Sequence, residues 1–299
     1  MTEAPDQIDP RAARRAFERA AATSDRAAAL QREVADELLD RLAGVRVEPG
    51  RVVDLGCGTG YAARRLQAMY RRAQVIGVDF APAMAARVAT GWRPGRRPRG
   101  VCADARRLPL PDQSVDIVFS SLTLEWVTDL RAQFGEVRRV LRPDGVLMFA
   151  TLGPDTLAEL RGAWAAIDRG VHVSTFLDMH DIGDAVLAAG LRDPVMDVDR
   201  LRRTYPDVRA LMRALKAAGA QNATVGRPRG LGGRARLERL ERAYPDRDEA
   251  GRVRATWEIA YGHAWGAATP RVGSGTAREF HVPIESIGRA RAKAAGGGD

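Results

Sequence analysis

The chain has 299 residues, which suits one large domain or one domain with insertions, and 45% of them are apolar, enough for a sizeable core. Its net charge is +9 and all but two of its 47 basic residues are arginine, so either coding is biased toward arginine or a partner is acidic or carries phosphate. Two cysteines, Cys57 and Cys102, exclude a disulfide framework, and the apolar runs are strand-length against the roughly 18 residues of a membrane span.

The opening "MTEAPDQIDP" lacks the basic and apolar regions of a secretory signal, so the expectation is a soluble cytoplasmic protein. Asp9-Pro10 predicts a helix start, with proline at the first helical position. "TSD" at Thr23 to Asp25 punctuates that helix and caps a second, ended by Gly44. Strands and helices then alternate: a strand at "RVVDLG", a helix over Tyr61–Tyr70, a strand at "QVIGVDF", a helix over Pro82–Thr90. A basic loop, "GWRPGRRPRG", leads into the strand "VCADA". "VDIVFSS" is a strand, "LRAQFGEVRRVL" an amphipathic helix, and "RPDG" a turn into the strand "VLMFATLG". Strands separated by helices predict a parallel sheet with right-handed crossovers. Beyond it, "MHDIGDAVLAAGL" is a helix, and "PVMDVDRLRRTY" and "VRATWEIAYGHAW" are strands. The core is thus interrupted twice, at 154–180 and by a long helical segment at 206–249. "EFHVPIESIG" predicts an edge strand, since Pro283 excludes a central position.

"VVDLGCGTG" places Gly56, Gly58 and Gly60 between a strand and a helix. Glycines there let a ligand approach the backbone, and the helix start favours an anionic group. Asp79 ends the next strand, where a carboxylate can accept hydrogen bonds from both ribose hydroxyls. Asp104 follows the third strand, where an adenine amino group could be read. A dinucleotide site would show G-x-G-x-x-G, whereas this chain has G-x-G-x-G.

Four ordered stretches, "DLGCGTG", "GVDFAPAM", "CADARRLPLPDQSVDIVFSSLTLEW" and "RVLRPDGVLMF", resemble the class I S-adenosylmethionine-dependent methyltransferases. The resemblance implies an α/β fold: a Rossmann-like, mostly parallel sheet with its last strand antiparallel and helical lid insertions. It implies S-adenosyl-L-methionine as cofactor, with Asp54, Gly56, Gly58 and Gly60 at its methionine end, Asp79 on the ribose, Asp104 and Ala105 on the adenine, and Ser120 at the rim beside the sulfonium. The competing readings are structural. Asp54 could chiefly order the glycine loop, Met84 could be core, and Cys57 could simply be small.

A narrower resemblance is carried by "FERAAATSDRAAALQ", "TLGPDTLAELRGAW", "HVSTFLDMHDIGDAV", "LMRALKAAGAQNA" and "ATWEIAYGHAW", which span Phe17 to Trp265. These resemble the malonyl-acyl-carrier-protein O-methyltransferases of bacterial biotin synthesis. The implied reaction methylates the free carboxylate of malonyl held as a thioester on acyl carrier protein. No nucleic-acid-binding signature is present, no metal cluster is expected, and no catalytic base is needed for an acceptor that is already ionised. His172 and Trp126 are the candidate acceptor-positioning residues; otherwise His172 caps the inserted helix and Trp126 is core. Lys216 reads as a solvated helix-face lysine. The implied organisation is a lid of helices over residues 1–45, a methyltransferase core over 46–265 with insertions at 154–180 and 206–249, and a tail over 266–299. Two departures stand out. The family's "SYD" tyrosine is Ser24 here, and its "HVN" is "HVS" at Ser174. The alternatives are a related methyltransferase acting on a small molecule such as a quinone precursor, and a methyltransferase-like assembly factor for a respiratory complex.

Overall fold

A computed structural model of the chain describes residues 7–89, 96–228, 230 and 233–267. Its seven strands are β1 (Arg51–Leu55), β2 (Gln74–Asp79), β3 (Arg99–Cys102), β4 (Val115–Ser121), β5 (Leu141–Leu152), β6 (Arg192–Tyr205) and β7 (Val253–Trp265). They form one sheet in the order β3-β2-β1-β4-β5-β7-β6. The first five run parallel, and β7 is antiparallel to both β5 and β6. β1 shows why the strands read as apolar runs. Val52 and Val53 are both fully buried, but they belong to different core clusters, one on each face of the sheet. A strand covered on both sides buries successive side chains in opposite directions.

Ten helices are described: α1 (Pro10–Ala20), α2 (Ser24–Ala27), α3 (Ala29–Ala43), α4 (Tyr61–Met69), α5 (Pro82–Ala85), α6 (Leu130–Val140), α7 (Ala158–Ala165), α8 (Met179–Ala188), α9 (Val208–Ala218) and α10 (Arg234–Ala243). Asp9 caps α1 by accepting the Ala12 N–H at 3.0 Å, and Asp207 caps α9 in the same way.

Four local expectations change. The helix expected after "TSD" is broken at Ala28 (φ −85°, ψ 36°), where Arg32 donates to the carbonyls of Asp25 and Ala28. The helix at Pro82 stops at Ala85. "RPDG" lies within β5, as a register skip between the pairs Val115–Leu141 and Ile117–Val146. The segment 206–249 holds two helices rather than one. The expected edge strand at "EFHVPIESIG" lies outside the described residues.

Two features aim the fold. β5 and β6 run the same way, so the segments after Leu152 and Tyr205 both emerge at the edge where β1, β2 and β4 end. The inserted segments also share the main apolar core: Leu157, Leu160, Val208, Leu211, Leu240 and Tyr244 are buried in one cluster with Val52, Phe119 and Trp257. Among the described residues, no helix is long and apolar enough to cross a membrane.

Candidate active site

At the carboxyl edge of the sheet, strand ends and the N-terminal segment enclose a cavity of about 430 Å³. Its floor is the turn from β1 into α4. Gly56 adopts φ +75°, and a Cβ there would stand 2.0 Å from Thr123 Oγ1, so both conformation and packing demand glycine. At Gly58 a Cβ would meet nothing within 4 Å, so this backbone faces open space and leaves room for a ligand. Gly60 is buried, packs its backbone against Val88 and precedes α4; it is not among the lining residues.

Two carboxylates stand above this floor. Asp54, at 2% exposure, leaves its Oδ2 without a hydrogen-bond partner. Burial pushes it up to about 7, with the neighbouring Asp79 adding to the rise. Asp79, at 6% exposure, accepts the Gly58 N–H on Oδ2 at 2.9 Å and the Ala81 N–H on Oδ1 at 2.8 Å. Burial still raises it to about 6. Two buried acids, neither in an ion pair among the described residues, suit a positively charged ligand, although Arg64 in the lining offsets part of the rise at Asp54. Cys57 also lines the cavity, and burial pushes its thiol well above the usual range.

The far end holds Asp104 and Ala105. Asp104 is exposed and forms an ion pair with Arg106, Nη2 to Oδ2 at 2.7 Å; the hydrogen bonds from that side chain lower its pKa. The other side is aromatic. Phe17 of α1 meets Phe80 edge-on at 5.8 Å and Trp126 edge-on at 5.0 Å. Met84 is both core and lining.

The N-terminal segment closes the top. Asp25 accepts a hydrogen bond from Thr59 of the glycine turn and pairs with Arg87 at 3.4 Å. Ser24 Oγ and Gln31 Oε1 are buried without partners, and both residues line the cavity. Arg32 also lines it. Among the described residues Arg32 bonds only backbone carbonyls and has no carboxylate partner, and its guanidinium stands 6.0 Å from the Tyr61 ring centroid at the start of α4.

The sequence-predicted residues therefore divide. Asp54, Gly56, Gly58, Asp79, Asp104, Ala105 and Trp126 come together around one cavity. Ser120 does not reach it: it is 1% exposed and donates to the Leu55 carbonyl at 3.1 Å. Its neighbour Ser121 lines the cavity instead, with Oγ unpartnered. The reason is strand alternation, which sends successive side chains to opposite sides. His172 also lies apart. It stacks on Trp164 at 3.8 Å, and its Nε2 lies 2.8 Å from Asp168 Oδ1 and 3.2 Å from Arg236. It ties the first inserted segment to α10 and is not among the lining residues. Sequence reasoning missed Arg32, Gln31 and Ser121; the available signal was a Gln-Arg pair beside the core positions Leu30 and Val34.

The family model described as a methyltransferase domain matches residues 53–149. A protein of Halorhodospira halophila named malonyl-acyl-carrier-protein O-methyltransferase is 51% identical over 287 residues, covering 95% of this chain and 97% of its own. A protein of the same name from Laribacter hongkongensis is 52% identical over 280 residues, covering 91% and 94%. Among solved structures, the Bacillus subtilis YcgJ protein superposes with a TM-score of 0.56 at 17% identity, covering 79% of this chain and 99% of its own. A protein titled as a methyltransferase from Bacillus halodurans gives 0.53 at 15% identity, covering 78% and 99%. At such identities the two structures speak for the fold alone.

Proposed function

The chain belongs to the malonyl-acyl-carrier-protein O-methyltransferases, and on that footing we propose that it transfers the methyl group of S-adenosylmethionine to the free carboxylate of malonyl carried by acyl carrier protein. The observation that carries this reading, beside the kinship, is the cavity with two buried acids on one side and an aromatic wall on the other. The reading brings with it a cytoplasmic enzyme whose partner is the carrier protein rather than nucleic acid or a membrane. Its ester product would prime pimeloyl formation for biotin.

The residues fit the cofactor. Gly58 leaves room over the turn, Asp79 offers its remaining lone pairs to the ribose, and Asp54 Oδ2 awaits the ammonium end. Asp104 and Ala105 take the adenine end. Arg32 would hold the cofactor's carboxylate, since it lines the cavity and, among the described residues, bonds backbone carbonyls and no acid. When bound, the cofactor supplies a methyl group on a positively charged sulfur. Arg32→Gln is expected to raise the cofactor dissociation constant roughly tenfold, the effect of one charged hydrogen bond. Titration calorimetry checks this, and an unchanged constant would assign the carboxylate elsewhere.

The acceptor needs no base: a carboxylate with a reference pKa near 4 is ionised at neutral pH. The chain must orient it and exclude water. Phe17, Phe80 and Trp126 exclude water from one side. Ser24 and Ser121 bring unpartnered hydroxyls that can donate to the malonyl oxygens. Neutral donors hold a carboxylate without neutralising it as tightly as a bidentate arginine would, so the attacking oxygen keeps its reactivity. In this reading the N-terminal helices and the insertion at 206–249, which reaches the cavity at Ala218, act as the lid over a core spanning 46–265, and the insertion at 154–180 braces that lid through α10.

The test is transfer of a labelled methyl group to malonyl-carrier protein, with the product a base-labile ester. A base-stable methyl group on another acceptor, with malonyl-carrier protein unmodified, would overturn the reading in favour of a related small-molecule methyltransferase. Restoring growth to a biotin auxotroph that lacks this step checks the pathway assignment.

A further inference from the structure

The mouth of the cavity is bounded by two helices distant in sequence. Pro10 and Phe17 of α1 and Ala218 of α9 all line it. The two are fastened together. Ile8 and Thr224 form an antiparallel bridge, Asp9 pairs with Arg227 at 3.3 Å, and Phe17 packs against Gly219, where a Cβ would come within 2.9 Å of the ring. Any macromolecule that delivers a group into this mouth meets their outward faces.

Those faces share one chemistry. α9 contains no acidic residue, and its exposed Arg209, Arg213 and Lys216 fall on one side at helical spacing. On α1 the exposed Arg11, Arg15 and Arg19 repeat every fourth residue in a stripe that flanks the buried Ala12, Ala13, Ala16 and Ala20. None of these six side chains makes an ion pair or hydrogen bond among the described residues. The one acid of α1, Glu18, is satisfied by Arg14 at 3.0 Å. Many other arginines are neutralised locally, as Arg139 is by Glu136 and Asp112, and Arg202 by Asp246. At the edge of the α9 face stands Met212, one of five large apolar side chains exposed among the described residues. A sulfur-bearing apolar contact beside a stripe of three cations complements an acidic surface that carries an apolar side chain.

We propose that the outward faces of α1 and α9 form the docking surface for the acidic carrier protein, so that its malonyl-bearing arm enters between Phe17 and Ala218. The proposal rests on the carrier-bound substrate read above. The cations draw the partner in and orient it, while Met212 supplies a dry contact beside them. Because the six side chains are exposed and bond nothing among the described residues, reversing their charge leaves the core untouched.

The experiment uses the full-length enzyme and fluorescently labelled malonyl-carrier protein. Affinity is read by anisotropy, and cofactor affinity by calorimetry. For the wild type, carrier affinity is expected to fall at least about tenfold between roughly 0.05 and 0.5 M salt, as the screening length shortens. The triple variant Arg209→Glu, Arg213→Glu, Lys216→Glu is expected to bind the carrier on the order of 20-fold more weakly and to lose most of that salt dependence, with cofactor affinity within twofold of wild type. Arg11→Glu with Arg15→Glu should show the same pattern more mildly. Carrier affinity unchanged in both variants, in an enzyme that methylates malonyl-carrier protein, overturns the docking surface and leaves the reaction standing. A wild-type enzyme that does not methylate malonyl-carrier protein overturns the reaction and this surface with it. Preferential binding of a nucleic acid to the same face also refutes the proposal.

Discussion

Asp79→Ala is expected to weaken S-adenosylmethionine binding by about 1.5–3 kcal/mol, roughly 10- to 150-fold, the range for hydrogen bonds to a charged group. Two effects add in that figure. The carboxylate offers lone pairs to a diol at the end of β2, and it also fixes the ligand's floor, because Oδ2 accepts the Gly58 N–H and Oδ1 the Ala81 N–H. Alanine removes both functions and leaves the buried backbone donors unpaired. Asp79→Asn separates them in part. It keeps one acceptor oxygen but points an amide donor at a backbone N–H, so it should still impair the turn. Calorimetry on variants with native circular dichroism decides the matter. Unchanged affinity for Asp79→Ala would place the cofactor somewhere other than this cavity.

Cofactor affinity is also expected to fall steeply as pH drops from 8 to 5. Burial raises Asp54 to about 7 and Asp79 to about 6 in the free enzyme. A cationic ligand favours the ionised acids and depresses both values, so below those values binding must release protons. Each such group removes up to tenfold in affinity per pH unit below its free value. Asp54 alone then accounts for about 100-fold by pH 5. Glu125 is likewise raised by burial to about 7, but it hydrogen-bonds Thr151 and is not a lining residue. Asp54→Asn is therefore the control: it should flatten the profile, whereas titration of Glu125 would leave the slope intact. Calorimetry in buffers of different ionisation enthalpy counts the protons directly. The same raised values make the two acids stabilise the free fold most below the unfolded carboxylate range near 4, and that contribution is lost as pH rises through about 6 and 7. Cofactor should thus raise the melting temperature more at pH 8 than at pH 5. A pH-independent dissociation constant would rule out an electrostatic role for the pair.

The strands and their acids were legible because both are local. Apolar runs such as "RVVDL" and "QVIGVD" reveal strands buried on both faces, and a carboxylate ending such a run lies at the sheet edge whatever covers it. The site's upper half was less legible. Serine occurs twice in "FSS", and only the pleat decides that Ser121, not Ser120, faces the cavity. Arg32 sits in an ordinary amphipathic helix pattern, and its freedom from acidic partners is a tertiary fact. His172 drew attention as a polar residue in an inserted segment, yet the stack on Trp164 and the bonds to Asp168 and Arg236 account for it without any ligand. The break at Ala28 is also tertiary, since the Asp25 side chain it brings over the glycine turn meets Thr59 there.

The two helices at the mouth are anchored very unequally. Beneath α9, Val208 and Leu211 belong to the same apolar cluster as the central sheet, along with Leu240 and Tyr244 from the segment that follows. Beneath α1 the buried contacts are mostly alanine methyls, each removing little area from water. Local opening should therefore be cheapest at α1, while α9 separates only when the sheet itself does. The entrance has a door leaf and a door post. In hydrogen exchange, α9 amides would share the slow rates of the strands, and α1 amides would exchange well ahead of them. The same asymmetry limits redesign: the width of the entrance is adjustable through the alanine-lined leaf, whereas the post cannot be shortened or replaced without unmaking the core that supports the glycine turn.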